Sequence, residues 1–220
     1  MDFKAHWERV YTKKPATDVS WFQEHAYISQ RLIAETGAPK SASIIDVGGG
    51  ASTLIDDLLA DGYQALTVLD LSSAALAAAK ARLGLLAERV RWIEADITAA
   101  DLPHHSYDIW HDRAVFHFLT NETDRRAYVE RVRHAVRPGG HVIVATFAED
   151  GPATCSGLPV VRYSAGGLHG EFGPDFNLIR HERETHQTPM GTTQEFLYCY
   201  CRVSEVSMTE PTAPFGVARR

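Results

Sequence analysis

Short apolar runs alternate with amphipathic segments through the middle of the chain. We predict the first three strands at residues 42–47, 65–69 and 90–95. Between the first two, Leu54, Leu58 and Leu59 recur at the spacing of one helical face. Apolar strands that alternate with helices are typical of β-α-β units. The pattern therefore predicts an α/β fold with a mostly parallel sheet.

The same alternation continues to residue 147. Residues 107–110 and 141–147 are predicted as the fourth and fifth strands, and residues 121–137 as the helix between them. Pro138 and the two glycines after it cannot continue a helix, so the helix is expected to stop there. In this reading His111 and Asp112 lie in a loop that follows the fourth strand.

The pattern changes after residue 147. Residues 148–175 are rich in Gly, Pro and Ser and predict a loop region with a short helix near residues 164–172. The runs at 177–186 and 193–203 flank a Pro-Met-Gly turn and predict an antiparallel hairpin. The expected fold is a doubly wound, mostly parallel seven-stranded sheet with a C-terminal antiparallel hairpin.

Composition narrows the class of protein. The 220 residues include 22 Lys plus Arg and 28 Asp plus Glu, for a net charge of −6. Proteins that bind nucleic acid through its phosphates usually carry the opposite sign, so we expect no nucleic-acid partner. No run approaches the ~18 apolar residues of a membrane span. We expect a soluble cytoplasmic protein without a membrane partner, as a monomer or a homodimer.

Metal and disulfide chemistry are not indicated. The chain has 3 cysteines, an odd number without a C-x-x-C pair, and its 11 histidines form no cluster with ligand spacing on one helix. Cys199 and Cys201 are two residues apart in a predicted strand, so both should point to one face. We expect this pair to be buried and inert.

Three acidic residues at successive strand ends are the strongest indication of a ligand-binding site in the sequence. Asp46 ends the first strand just before a run of three glycines, Asp70 ends the second and Asp96 the third. Glycines at a strand end let the backbone approach a ligand, and the helix that follows offers free N–H groups. Ligands of open α/β sheets bind at this carboxyl edge, where a carboxylate can accept hydrogen bonds from a ribose. A nicotinamide fold uses the same glycine device, but Thr53 stands where its last glycine is expected.

These motifs resemble those of the class I S-adenosylmethionine-dependent methyltransferases, in the group of methyltransferase domain types 11, 12 and 25. The likeness covers about residues 42–148, through Ile45-Asp46-Val47-Gly48-Gly49-Gly50, Leu69-Asp70-Leu71-Ser72, Ala95-Asp96-Ile97 and Val136-Arg137-Pro138-Gly139-Gly140. Ser52 replaces the third glycine of the family. The resemblance implies S-adenosylmethionine as cofactor and S-adenosylhomocysteine as product. The cofactor-binding residues it implies are Trp21, Asp46, Gly48, Gly50, Asp70, Leu71, Asp96, Ile97 and His111.

The resemblance also implies which part of the cofactor each group of residues would bind. The glycines would pack against the methionine portion, Asp70 would hold the ribose, and Asp96 with the Ile97 backbone would recognise adenine. His111 either acts as a general base or shapes the amino-acid pocket of the cofactor. Asp112 is the second candidate catalytic residue, able to orient an amine or to pair with Arg113.

The N-terminal segment carries a second resemblance. His6-Trp7-Glu8-Arg9-Val10-Tyr11 and Ser20-Trp21-Phe22-Gln23 are similar to the first segment of lysine methyltransferases that act on elongation factor and citrate synthase. There the aromatic and amide residues lie over the cofactor. The alternative is a small aromatic core under an N-terminal helix, and the two are compatible. We predict a helical lid at residues 1–40, a methyltransferase domain at 41–206 and a flexible tail at 207–220.

The resemblance implies an enzyme that transfers a methyl group by direct displacement. We expect a small-molecule acceptor, held between the lid, His111, Arg162 and Tyr163, and we expect deletion of residues 1–23 to abolish transfer. A protein lysine acceptor and a non-catalytic cofactor-binding module are the alternatives. The chain lacks an Asn/Asp-Pro-Pro-Tyr motif, which makes methylation of DNA adenine an unfavoured reading.

Overall fold

The computed structural model describes residues 2–205 of the chain. Its strands are β1 Ser43–Val47, β2 Ala65–Asp70, β3 Val90–Glu94, β4 Tyr107–Arg113, β5 Val136–Phe147, β6 Thr154–Cys155, β7 Leu158–Pro159, β8 Phe176–Gln187 and β9 Thr193–Val203. Seven of them form one sheet in the order β3-β2-β1-β4-β5-β9-β8. The pairs from β3 to β5 are parallel, and β9 is antiparallel to both of its neighbours. The predicted seven-stranded sheet with its antiparallel hairpin is confirmed.

Within the described residues, six α-helices accompany the sheet. They are α1 Phe3–Lys13, α2 Tyr27–Glu35, α3 Leu54–Ala60, α4 Ser73–Leu83, α5 Glu122–Ala135 and α6 Ala165–Phe172. Side chains cap several N-termini as the sequence suggests: Ser72 accepts from the Ala75 N–H, and Asn121 accepts from the Asp124 N–H. The short helix expected in the Gly-rich region is α6.

The core lies on both faces of the sheet because neighbouring residues of a strand point to opposite sides. In β1, Ile44 packs with Ile109 and the helices of one face, whereas Ile45 packs with Trp110 and Tyr128 on the other. All five side chains are at most 1% exposed. The parallel strands are therefore fixed in register by apolar contacts on two sides, which aligns their carboxyl ends at one edge.

The structure corrects several predicted boundaries. Strand β4 extends through Arg113, so His111 and Asp112 belong to a strand and not to a loop. Helix α5 ends at Ala135, and β5 begins at Val136 instead of residue 141. A two-stranded hairpin of β6 and β7 lies in the region expected to be loop. The predicted tail, residues 207–220, lies outside the described residues.

The predicted burial of the two cysteines on one face is confirmed. Cys199 and Cys201 are both buried on one face of β9, with their sulfur atoms 3.4 Å apart. Among residues 2–205, we find neither a cluster of three or more metal-ligating side chains nor a helix long and apolar enough to cross a membrane.

Candidate functional site

Two adjoining cavities open at the carboxyl edge of the sheet. The larger one, the strand-end cavity, encloses about 1120 Å³ including its part open to solvent, and runs past the ends of β2 and β3. The smaller one, the glycine-turn cavity, encloses about 560 Å³ and lies against the loop after β1. The two share four lining residues, Tyr11, Trp21, Gly48 and Arg113. The two cavities therefore adjoin at the edge of the sheet where ligands of open α/β folds bind.

The glycine turn consists of Gly48, Gly49 and Gly50, directly after β1. Larger residues are excluded from it for steric reasons. Gly48 has a φ of 67°, and a Cβ atom there would lie 1.9 Å from Cγ2 of Val115. A Cβ atom on Gly49 would lie 2.4 Å from a carboxylate oxygen of Asp46. The backbone therefore passes close to both neighbours, and Gly48 lines both cavities.

Gly50 serves the site indirectly. It has a φ of 37°, and a Cβ atom there would lie 2.6 Å from Oδ2 of Asp70. Gly50 is not among the residues that line either cavity. Its small size leaves space for the Asp70 carboxylate, which gives Gly50 a supporting role here, and its contact with a cofactor stays a prediction.

Asp70 is a buried carboxyl group at the end of β2. It lines the strand-end cavity, is 8% exposed, and accepts a hydrogen bond of 2.8 Å from the Ser72 N–H through Oδ1. Burial raises the pKa of Asp70 to about 7, against the hydrogen bonds from Ser72 and Leu71, which lower it. A molecule with two neighbouring hydroxyl groups that entered the cavity would give the Asp70 carboxyl group hydrogen-bonding partners.

We predict that Asp70→Asn stabilises the ligand-free protein and weakens cofactor binding. Because the folded pKa of about 7 exceeds the unfolded value of ~3.9, the folded state binds this proton more tightly, and stability falls as pH rises between the two values. At pH 8, Asn should raise the free energy of unfolding by about 1–3 kcal/mol. Affinity for S-adenosylhomocysteine should fall by about 1.5–3 kcal/mol.

Urea unfolding at pH 5 and pH 8, with calorimetric titration of the ligand, measures both effects. The stability gain should be smaller at pH 5, where the folded wild-type carboxyl is protonated. An equal gain at both pH values would show that charge on Asp70 is not its cause.

The end of β3 supplies the other predicted residues of this cavity. Asp96 is exposed, and its Oδ1 accepts hydrogen bonds from the backbone N–H and the hydroxyl of Thr98 at 2.9 and 2.7 Å. Ile97 is buried, and Leu71 is partly exposed. All of them line the strand-end cavity together with Asp70. The structure therefore brings the predicted acidic residues of β2 and β3 to one wall.

Helix α1 lies across the cleft. The ring of Trp7 is 5.1 Å from that of Phe118 and 5.6 Å from that of Trp21, and Tyr11 is 6.3 Å from Trp21. All four rings line the strand-end cavity. The aromatic residues thus form a packed cluster and a wall of the cavity at once, which is compatible with both readings of this segment.

Polar contacts fix α1 in that position. The Glu8 carboxylate accepts hydrogen bonds from the backbone N–H groups of Ser73 and Ala74, at 2.5 and 3.2 Å, at the start of α4. A carboxylate is favoured there because helix N-termini carry partial positive charge. Lys4 pairs with Glu94 at the end of β3. The helix is therefore attached to the edge of the sheet that carries the two cavities.

His111 is buried in β4 with both ring nitrogens occupied. Its Nδ1 lies 2.7 Å from Oδ1 of Asp46, and its Nε2 lies 2.8 Å from the Ser29 hydroxyl. His111 and Asp46 line the glycine-turn cavity. This geometry favours the role of shaping that pocket over the role of general base.

Asp112 does not reach either cavity. It is fully buried and accepts hydrogen bonds from the N–H groups of Val115 and Phe116 and from the Tyr128 hydroxyl. Burial raises its pKa to about 6, while the hydrogen bond from Tyr128 opposes the shift. Since β4 continues through Asp112, its side chain points away from His111. The predicted contact with an acceptor is therefore wrong for geometric reasons, and Asp112 fixes the loop at 115–116 instead.

Arg162 and Tyr163 are also outside the two cavities. Arg162 donates to the Gly151 carbonyl, and buried Tyr163 packs against Phe116. Sequence reasoning missed Arg113 and Cys155 as lining residues. Arg113 gave only a weak signal, as a charged residue that ends an apolar strand.

Comparisons with known proteins agree with the fold and the motifs. Residues 44–140 match the protein family described as "Methyltransferase domain". An uncharacterized methyltransferase of Mycobacterium tuberculosis is 31% identical over 115 residues, which are 52% of this chain and 54% of that protein. The chain spans about half the length of the curated relatives it matches.

Solved structures share the fold over most of the chain. An S-adenosylmethionine-dependent methyltransferase from Anabaena variabilis superposes with a TM-score of 0.72 at 16% identity, covering 92% of this chain and 96% of that one. The 1,6-didemethyltoxoflavin-N1-methyltransferase of Burkholderia thailandensis, solved with 1,6-didemethyltoxoflavin and S-adenosylhomocysteine, gives 0.65 at 21% identity, covering 91% and 84%. At these identities the likeness shows the fold.

Proposed function

We propose that this chain belongs to the class I S-adenosylmethionine-dependent methyltransferases, binds S-adenosylmethionine and transfers its methyl group to a small-molecule acceptor. The match of residues 44–140 to the family described as "Methyltransferase domain" supports the proposal. The observation that carries the proposal is the arrangement of the two cavities. The carboxyl groups at the ends of β2 and β3 line one cavity, the glycine turn lines the other, and the cavities meet at Gly48 and Arg113.

The residues present fit the parts of this cofactor. Asp70 would accept hydrogen bonds from the ribose hydroxyls, and Asp96 with Ile97 would hold the adenine, since all three line the strand-end cavity. In the glycine-turn cavity, Asp46 and Arg113 offer one negative and one positive charge, which suits the ammonium and carboxylate groups of an amino acid. Gly48 lines both cavities and has no side chain that could project between them.

S-adenosylmethionine supplies a methyl group that its sulfonium already activates. The protein then has to align the acceptor with that group and keep water away. The aromatic wall of Trp7, Tyr11, Trp21 and Phe118 performs the second task. Burial raises the pKa of the Cys155 thiol in this wall to about 12, so it stays uncharged and does not compete for the methyl group.

No base needs to act in this scheme. The candidate base His111 is held by Asp46 and Ser29, and Asp112 lies outside both cavities. The acceptor is therefore expected to arrive in its nucleophilic form, as a neutral amine or heteroaromatic nitrogen, a thiolate or an enolate.

A small-molecule acceptor is favoured by the position of α1. The helix and its aromatic side chains form one wall of the strand-end cavity, which restricts the approach of a folded protein surface. The 1,6-didemethyltoxoflavin-N1-methyltransferase, solved with 1,6-didemethyltoxoflavin bound, has the same fold. A lysine side chain on a protein remains the alternative acceptor, and it would have to enter past Phe3 at the mouth of the cleft.

We predict that the protein binds S-adenosylmethionine and S-adenosylhomocysteine. A ligand at about 100 times its dissociation constant adds ~2.7 kcal/mol to the free energy of unfolding, so the melting temperature should rise clearly at millimolar ligand. Isothermal titration with S-adenosylhomocysteine is the direct measurement, with adenosine monophosphate as a control nucleotide. Absence of both heat and melting shift would refute the proposal.

A screen with methyl-labelled cofactor distinguishes the acceptor classes. The protein is incubated with a metabolite panel and, separately, with a cell lysate. Label in small molecules supports the proposed acceptor class, and label in protein bands supports the lysine alternative. Cofactor binding without label in either fraction would support the non-catalytic module.

A further inference from the structure

A chain of buried polar side chains connects the glycine turn to the hairpin at the far edge of the sheet. From the Asp46–His111 pair it continues through the Ser29 hydroxyl, 2.8 Å from His111, to the Tyr198 hydroxyl at 3.3 Å. Tyr198 then donates to Oε2 of Glu184 at 3.1 Å. The members come from β1, β4, α2, β9 and β8, so the chain of hydrogen bonds runs from β1 to the edge strand β8.

Arg113 lies at the end of this chain. It donates from Nη2 to Glu184 at 3.2 Å, from Nε to the Tyr198 hydroxyl at 3.2 Å, and from Nη1 to the Trp21 carbonyl at 3.1 Å. Its guanidinium also lies over the ring of Phe196, 4.1 Å from the centroid. The Arg113 and Glu184 side chains are only 9% and 11% exposed. The guanidinium is thus held in one orientation at the junction of the two cavities.

Glu184 also holds the segment that precedes α2. Its Oε1 accepts a hydrogen bond of 2.5 Å from the Gln23 amide, and the Gln23 carbonyl accepts one of 2.8 Å from the Thr53 hydroxyl. Gln23 lines the glycine-turn cavity, whereas Glu184 lines neither cavity. One carboxylate therefore fixes two lining residues that come from different parts of the chain.

We propose that Glu184, supported by Tyr198, is a positioning residue that sets Arg113 and Gln23 to receive the amino-acid part of the cofactor. The inference rests on the proposed function, since it assigns that part of the cofactor to the glycine-turn cavity. With its carboxylate replaced by an amide, residue 184 keeps one acceptor oxygen and has an NH2 group in place of the other. It can then accept from either Gln23 or Arg113 but not from both, while Asp70 and Asp96 are untouched.

The test compares two ligands that differ only in the part that Glu184 would govern. S-adenosylhomocysteine carries the amino acid, and 5′-methylthioadenosine lacks it. Glu184→Gln is expected to weaken binding of S-adenosylhomocysteine at least tenfold and binding of 5′-methylthioadenosine less than twofold. Glu182→Gln is the matched control, because Glu182 lies on the same strand and pairs with Arg31 and Arg180. It should change neither affinity.

If Glu184 has a merely structural role, Glu184→Gln weakens binding of both ligands by the same factor. That result would overturn the proposal, and so would unchanged affinity for both ligands. If Glu184→Gln does not fold, the same comparison is made with Tyr198→Phe. Tyr200→Phe is then the control, because the hydroxyl of Tyr200 contacts His141 and not Glu184. Tyr198→Phe should weaken S-adenosylhomocysteine at least threefold and leave 5′-methylthioadenosine unchanged, and equal effects overturn the proposal here too. Failure of the wild-type protein to bind either ligand would contradict the proposed function itself.

Discussion

Removal of residues 2–14, which contain α1, is expected to reduce methyl transfer at least about 100-fold and to leave a folded protein. The helix has no fully buried residue, so its loss costs the core little. It does carry Trp7 and Tyr11, which line the strand-end cavity. Without them water enters, and the acceptor loses a wall that holds it in line. Misplacement of reacting groups by ~1 Å already costs about 100-fold in rate.

Deletion of residues 2–14 tests the role of α1 more specifically than removal of residues 1–23 does. Val19 is buried, and Ser20 binds the hairpin through His186 and Gln194, so the longer deletion also disturbs the sheet. Rate measurement uses the acceptor identified by the label screen, with Arg9→Gln, an exposed change on the same helix, as control. Glu8→Gln should give an intermediate loss, because it removes charge from the contact with α4. Full activity of the shortened protein would exclude a lid role for α1.

Gly48→Ala is expected to lower the free energy of unfolding by about 2–5 kcal/mol. The left-handed backbone accounts for about 1–2 kcal/mol and the overlap with Val115 for about 1–3 kcal/mol. Gly37 offers a matched control, since its φ of 68° is nearly that of Gly48 at 67° but a Cβ atom there meets nothing within 4 Å. Gly37→Ala should therefore show the backbone cost alone.

Urea unfolding of the two variants separates backbone strain from steric overlap. Val115 is β-branched and stiff, so it cannot turn away from the new methyl group. Combining Gly48→Ala with Val115→Ala should recover part of the lost stability, as a double-mutant cycle measures. Equal losses for Gly48→Ala and Gly37→Ala would show that the neighbouring side chain yields at no cost.

The fold follows from local patterns to a large extent. The period of apolar residues predicts β1, β2, β3 and the final hairpin within one or two residues, because these elements are bounded by Gly, Asp and Pro. The length of β4 does not follow in this way. His111 and Asp112 are polar but buried, and their partners Asp46 and Tyr128 lie elsewhere in the sequence. A local pattern that associates polar residues with loops therefore ends this strand too early.

In the candidate site too, residues placed by local strand ends were predicted, whereas residues placed by distant contacts were not. Asp70 and Asp96 were predicted to share a cavity because parallel strands align their carboxyl ends, and the structure brings them together. Arg113 was underestimated because its orientation depends on Glu184 and Tyr198, 71 and 85 residues later. Arg162 and Tyr163 were overestimated, since loop position alone does not tell which way a side chain points.

The position of β9 between β5 and β8 has a consequence for biosynthesis. Ser20 contacts His186 and Gln194 across separations of 166 and 174 residues, and β9, an inner strand, follows the other six strands of this sheet in the sequence. At about 5–20 residues per second, the ribosome needs roughly 8–35 s to make the intervening chain. Until then the nascent chain has its glycine turn and its acidic strand ends, but of the three acceptors of Arg113 it has only the Trp21 carbonyl. Arg113 is therefore held in its final orientation only after Glu184 and Tyr198 have been made.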